Sequence, residues 1–417
     1  MTTARSHAAA SPFGQFVARA AAGGHLVVQP RMGFGDPARM RQGLERTRFA
    51  AATTVGTLTL DSYTRLGDHA AVRRALSQGL PLNGYPLVDL PVRRTRRLLD
   101  GLLGPDFPVQ VRHGSARPTA IVRAMTRAGL DATEGGPVSY CLPYGRTPLR
   151  ESVDHWARAC ELLTQLVPAP RLPHLETFGG CLLGQLCPPA LLVAVSVLEA
   201  LFFTQHGIRS VSLSYAQQTH PEQDEDALLA LRRLASRFLP PGTDWHLVLY
   251  TYMGVFPRTG PGARRLLEDS ARLAVRSGVE RLVVKTAAEA HRIPSVADNI
   301  GALESAGTAA ELAAARQEDG RAARSEPAAD SHIHTEARAL VEAVLDLAPD
   351  VGRALRTAFA HGLLDIPYCL HPDNAGRARS VVDASGRLRW SSGARAGPPP
   401  PRPPRAGGLR FFMGSGT

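Results

Sequence analysis

Three arginines stand where short apolar runs give way to polar and glycine residues. They are Arg31 in Gln29-Pro30-Arg31, Arg65 in Asp61-Ser62-Tyr63-Thr64-Arg65, and Arg112 in Arg112-His113-Gly114. A fourth such place reads Glu134-Gly135-Gly136 and continues through Ser139-Tyr140-Cys141-Leu142-Pro143-Tyr144, and another reads Glu176-Thr177-Phe178-Gly179. A guanidinium fork holds a carboxylate through two parallel hydrogen bonds, fixing angle as well as distance. Two or three forks therefore suit a molecule with two carboxylates. A carboxylate such as Glu134 suits an ammonium on that molecule, or exchanges a proton with it. Glycines beside these side chains let a ligand approach the backbone. A single arginine so placed commonly partners a structural carboxylate, and His113 could be a packed interior histidine. The functional reading requires the arginines to meet at one place.

The elements that would bring them together are visible as a pattern. Apolar runs recur at His25–Gln29, Ala51–Leu58, Leu80–Asn83, Val109–Val111, Leu130–Glu134, His174–Phe178, Ser210–Tyr215, His246–Thr251 and Leu282–Lys285. Amphipathic stretches such as Thr119–Ala128, Leu149–Leu166, Ala190–His206 and Ala263–Ser277 lie between them. Strands alternating with helices imply parallel pairing through crossovers. Eight such units are the size of a (β/α)8 TIM barrel, whose active sites sit at the C-terminal strand ends. Nine runs are present, so one lies outside the barrel or is not a strand.

The expected organisation is a short N-terminal arm (1–24), a TIM-barrel catalytic domain (25–300), an Ala-rich insert or linker (301–335), an α-rich C-terminal region packed on the barrel (336–392) and a disordered Pro-rich tail (393–417).

Composition narrows the function classes. Of 417 residues 44% are hydrophobic, enough for a substantial core. The longest apolar run, Pro188 to Phe203, is too short to span a bilayer and contains Glu199. No secretory h-region opens the chain, so a cytoplasmic location and no membrane association are expected. The five cysteines form no CxxC pair, which points to reduced thiols and away from a zinc ribbon. The net charge of +11 raises nucleic acid as a partner, but the arginines are scattered among acids without interleaved aromatics. Lys285 is the one lysine among 48 basic residues. Against such arginine bias a retained ammonium stands out, because it is a compact point charge where guanidinium is a wide planar fork. Lys285 and Glu289 are spaced i,i+4, which on an exposed helix is worth only about 0.3 kcal/mol. Asp330-Ser331-His332 begins like a DxHxxG motif, but Thr335 occupies the glycine position. No GxGxxG, P-loop, HExxH or metal-spaced acidic cluster is present.

With these segments in view, the chain resembles the large catalytic (epsilon) subunit of glutamate mutase, also called methylaspartate mutase. The likeness runs from about His25 to Trp390 through QPRMG, TLDSYTR, LNGYPLVD, VRHGS, EGGPVSYCLPY, ETFGGCLLGQLCPP, VKTAAEAHRIP and GLLDIPYCLHPDNAG. The resemblance implies a (β/α)8 barrel in which Arg31, Arg65 and Arg112 hold two substrate carboxylates. It implies that Glu134 meets the amino group as the catalytic residue, with His113, Tyr140, Tyr144 and Phe178 around it. Contacts to adenosylcobalamin are implied for Gly33, Asn83, Pro143, Lys285 and Glu289, the last two at the adenosyl group, with no metal ligand from this chain. The reaction implied is the radical interconversion of L-glutamate and threo-3-methyl-L-aspartate. The cofactor would be shared with a separate small cobalamin-binding subunit carrying DxHxxG, in a heterotetramer built on a homodimer of large subunits. The segment SYAQQTH (214–220) departs from the family's glycine-rich sequence there. This leaves open a divergent or non-catalytic relative that binds a dicarboxylic amino acid, or a mutase acting on another one.

Overall fold

A computed structural model describes residues 11–143, 145–318 and 331–391. Eight strands form one parallel sheet: β1 Val27–Pro30, β2 Gly56–Thr59, β3 Val109–Arg112, β4 Ala132–Gly135, β5 His174–Thr177, β6 Ser210–Ala216, β7 Asp244–Tyr250 and β8 Arg281–Val284. Their order is β1-β8-β7-β6-β5-β4-β3-β2, and the two ends approach through a parallel bridge between Val28 and Thr54. The sheet is thus nearly closed, with helices around it, as a TIM barrel. β3, β4, β5, β6 and β8 are buried throughout, and they carry buried polar residues such as Gln110, Glu134, Glu176, Ser212 and Arg281 among the apolar ones.

The ninth run, Leu80–Asn83, is not a strand. It lies in the connection between the helices His69–Ser77 and Val92–Leu99. Pro81 has no N–H to give a ladder, Gly79 takes φ +65°, and Leu80 is more than half exposed.

The helix Pro189–Gln205 accounts for the longest apolar run. Every residue from Pro189 to Phe203 is buried, because the barrel lies on one side and the helices Pro221–Phe238 and His332–Leu345 on the other. A helix covered all round carries no polar face. Residues 301–318 belong to the 23-residue helix Val296–Glu318, which packs on β1 and on the helix Gly260–Arg276. The boundary expected after residue 300 therefore falls inside a helix. Beyond it come His332–Leu345, Val351–Ala360 and an antiparallel pair, β9 Ser380–Val382 with β10 Leu388–Trp390. Residues 319–330 of the expected linker, the first ten residues and the Pro-rich stretch lie outside the described residues.

The helix Pro12–Ala22 closes the bottom of the barrel. Ser11 caps it, and a Cβ on Gly14 would strike Asp244 at the start of β7. Phe13, fully buried, stacks on His174 at 4.9 Å.

Candidate functional site

The C-terminal strand ends surround a cavity of about 360 Å³. Arg31 reaches it from just past β1, and Arg65 from the helix Ser62–Leu66. That helix is fixed by two caps: Asp61 accepts the Thr64 N–H at 2.9 Å, and Asn83 Oδ1 accepts the Ser62 N–H at 3.0 Å. Arg112 enters from the end of β3, with His113 beside it. Glu134 faces them from β4, and Tyr140 and Phe178 wall the far side. Gly114 has a steric reason. Its φ is +68°, and a Cβ there would come within 2.7 Å of Arg65 Cδ, so a larger residue would push Arg65 off its path.

The three guanidiniums are not consumed by their protein partners. Arg31 meets Glu289 through Nη1 at 3.1 Å, while its buried Nε has no hydrogen-bond partner. Arg112 donates Nε to Glu134 at 2.7 Å, which leaves its fork of terminal amino groups toward the cavity. Arg65 has no acidic partner among the described residues. Three cations against Glu134 leave the cavity positive, suited to a diacid with one ammonium.

Two further polar atoms, His113 Nε2 and Thr59 Oγ1, are buried on residues lining the same cavity and have no partner. Burial, aided by the charge of Arg112, pushes the His113 imidazole down to about 3. The ring is therefore neutral, and since Nδ1 accepts the Ser115 N–H at 3.0 Å, Nε2 carries the proton. Buried donors without acceptors are costly in a finished core and are expected where a ligand supplies the acceptor.

Glu134 is held by three donors: Arg112, the Tyr140 hydroxyl, and the Tyr250 hydroxyl at 2.6 Å. Burial and the neighbouring carboxylate raise both phenols well above their ordinary range, so they remain donors. Tyr140 packs on Phe178 at 4.9 Å, and His113 stacks on Trp156 at 5.7 Å.

A family profile described as Methylaspartate mutase E chain matches residues 9–395. The glutamate mutase epsilon subunit of Haloarcula marismortui is 30% identical over 79% of this chain and 68% of its own length. That of Escherichia coli O157:H7 is 31% identical over 79% and 70%, and that of Desulfitobacterium hafniense 29% over 90% and 79%.

The chain belongs to the methylaspartate mutase E-chain family.

Of the residues anticipated for this E chain, Arg31, Arg65, Arg112, His113, Glu134, Tyr140, Phe178 and Asn83 line the cavity together. Gly33, Pro143, Lys285 and Glu289 do not line it, and Tyr144 lies outside the described residues. Gly33 is required by close approach, since a Cβ would sit 2.2 Å from Thr59 O. Lys285 and Glu289 are not a helix pair. Lys285 follows β8 and Glu289 lies on the short 3-10 turn Ala287–Ala290, where it forms a capping box with Thr286. Thr59, Met253, Tyr250 and Glu176 were not anticipated as site residues. The strand-end rule points to Tyr250, the penultimate residue of the run His246–Thr251, and to Thr59, which follows the run Ala51–Leu58, whereas Met253 carries no signal of its own.

Proposed function

We propose that this E chain is the substrate-binding subunit of an adenosylcobalamin-dependent mutase interconverting L-glutamate and threo-3-methyl-L-aspartate. The observation that carries the reading is the meeting of Arg31, Arg65 and Arg112 at one cavity with Glu134 opposite. The forks of Arg112 and Arg65 and the free Nε of Arg31 take the two carboxylates. Glu134 takes the ammonium and holds or returns its proton, while His113 Nε2 donates to a carboxylate oxygen. Fixed donors in a buried site position the substrate and hold it away from water.

The residues at the rim fit the adenosyl group. Lys285 is half-buried with its ammonium 4.6 Å from the centre of the Phe256 ring, beside the Glu289 carboxylate that also meets Arg31. An ammonium and a carboxylate on the segment after β8 offer a donor and an acceptor for ribose hydroxyls. When bound, adenosylcobalamin supplies the radical hydrogen abstraction that no side chain here can perform. The residues of the chain bind, orient and shield. A small cobalamin-binding subunit with a DxHxxG loop completes the assembly in this reading, in the cytoplasm, with two large subunits in a heterotetramer.

The test is reconstitution of the purified chain with such a small subunit, adenosylcobalamin and L-glutamate. Formation of 3-methylaspartate is the expected result; folded protein that makes none overturns the reading, and a product from another dicarboxylic amino acid changes its substrate.

A further inference from the structure

Beneath the cavity lies a polar column that the proposed chemistry does not use. Tyr250, at the end of β7, is 1% exposed, and its hydroxyl meets Glu134 Oε2 at 2.6 Å and also Glu176. Its ring is anchored edge-on to Phe178 at 5.4 Å and under the Arg112 guanidinium at 5.3 Å. Glu176, on β5, is fully buried and paired with the equally buried Arg281 of β8. Glu176 Oε2 accepts from Gln110 Nε2 at 3.1 Å and from Ser212 Oγ at 3.3 Å. Arg281 also meets Gln29, Ser212 at 3.0 Å and His246 Nε2 at 3.2 Å. Neither Tyr250 nor Glu176 nor Arg281 lines the cavity.

A buried ion pair is a poor source of stability, because desolvation offsets most of the attraction. Its placement under Tyr250 gives it another use. Glu134 Oε2 receives both Arg112 Nε and the Tyr250 hydroxyl, while Oε1 receives Tyr140. Without the Tyr250 hydroxyl, Oε2 would answer to Arg112 alone. The carboxylate could then swing onto the Arg112 fork, since bidentate pairing is the stronger geometry. That would remove the acceptor for a substrate ammonium.

We infer that Tyr250, seated on the Glu176–Arg281 pair, is a positioning residue that fixes Glu134 and so sets the site's preference for a dicarboxylate bearing an amino group. The inference rests on the reading of the cavity as a dicarboxylic amino acid site. It extends that reading to a residue and an ion pair that touch no substrate.

The experiment measures binding of L-glutamate and of glutarate, which lacks the amino group, to the full chain by calorimetry. The wild-type chain is expected to prefer glutamate. Tyr250→Phe keeps the ring and removes one charge-assisted hydrogen bond, so glutamate affinity should fall about tenfold or more and glutarate affinity by less than about threefold. Thermal unfolding reports whether the fold is intact. Glu176→Gln, which keeps the shape but no longer competes as a carboxylate for the one Tyr250 proton, should leave the preference for glutamate intact or stronger, and loss of that preference would count against Tyr250 acting through its hydroxyl. Equal weakening of both ligands, or an unchanged ratio, in folded Tyr250→Phe overturns the inference and leaves the dicarboxylic amino acid reading standing. A wild-type chain that binds both diacids alike, or neither, overturns that reading itself.

Discussion

Arg112 combines three constraints in one side chain. It is 5% exposed, it donates Nε to Glu134, and its guanidinium lies over the Tyr250 ring. Lysine keeps the charge but has neither the fork nor the planar face. Arg112→Lys is expected to lower kcat/KM by at least about 100-fold, the equivalent of about 3 kcal/mol of charge-assisted bonding. Steady-state kinetics of the reconstituted enzyme check this, and near-normal rates would make the arginine merely structural. Lys285 is the converse case. Burial lowers its affinity for the proton, with Glu289 opposing and Arg31 reinforcing the shift. Arginine there would replace a compact ammonium by a wide planar fork. Lys285→Arg should raise the adenosylcobalamin concentration needed for half-maximal activity severalfold; an unchanged dependence would leave the lone lysine a compositional accident.

The walls of the site depend on a helix that never touches the cavity. Glu199, in the middle of Pro189–Gln205, accepts the N–H groups of Val138 at 3.1 Å and Ser139 at 2.9 Å and the Ser139 hydroxyl at 3.0 Å. It thereby pins the loop that carries Tyr140. Burial raises its carboxyl to about 7, against the pull of the Ser139, Val138 and Gly179 hydrogen bonds. The folded chain therefore holds a proton that the unfolded chain has already released above its ordinary 4.5. The sign follows: this group's contribution makes the fold less stable as pH rises from about 4.5 to about 7, and levels off above. Glu199→Gln removes the titration but can still accept the two N–H bonds. Denaturant unfolding at about pH 5 and about pH 8 should show the variant gaining stability relative to wild type at the higher pH. A constant difference would mean that Glu199 does not titrate in this window. The SYAQQTH segment is likewise tied down: Gln218 donates to Cys187 O at 2.6 Å, and Asp224 accepts the Gln218 N–H at 3.0 Å and the Tyr215 hydroxyl at 2.9 Å. These bonds hold the segment within the barrel wall.

Over the whole molecule, the polar interior has to be closed below as well as above. Phe13 does this from the N-terminal helix, stacking on His174 and lying 5.0 Å from the Arg281 guanidinium. Burial, together with the charge of Arg281, holds the His174 and His246 rings well below the ordinary imidazole range, so both stay neutral beside Arg281, whose charge Glu176 balances. Phe13→Ala should cost roughly 3–5 kcal/mol, the usual range for a buried aromatic truncated in a core. It should show as a lower denaturation midpoint, and a loss below about 1 kcal/mol would mean that the helix is not a structural plug. All five cysteines are free and buried, with burial raising each thiol, Cys141 to about 12, which leaves them poor nucleophiles. No helix of the described residues is long and apolar enough to cross a membrane.

The order of apolar runs and the polar residues at their ends determined the barrel and most of the cavity wall. Parallel strands joined by helical crossovers recur as short runs between amphipathic stretches, and the residues leaving them must face one rim. Arg31, Arg65, Arg112 and Glu134 were legible for that reason. Leu80–Asn83 misled because an apolar run carries no record of whether a neighbouring strand has room for it. The join between Tyr250 and Glu134 spans 116 residues, and that between Arg281 and Glu176 spans 105. Only closure of the sheet makes them neighbours, so the column beneath the site, the free Nε of Arg31 and the place of Lys285 beyond β8 were decided by tertiary structure alone.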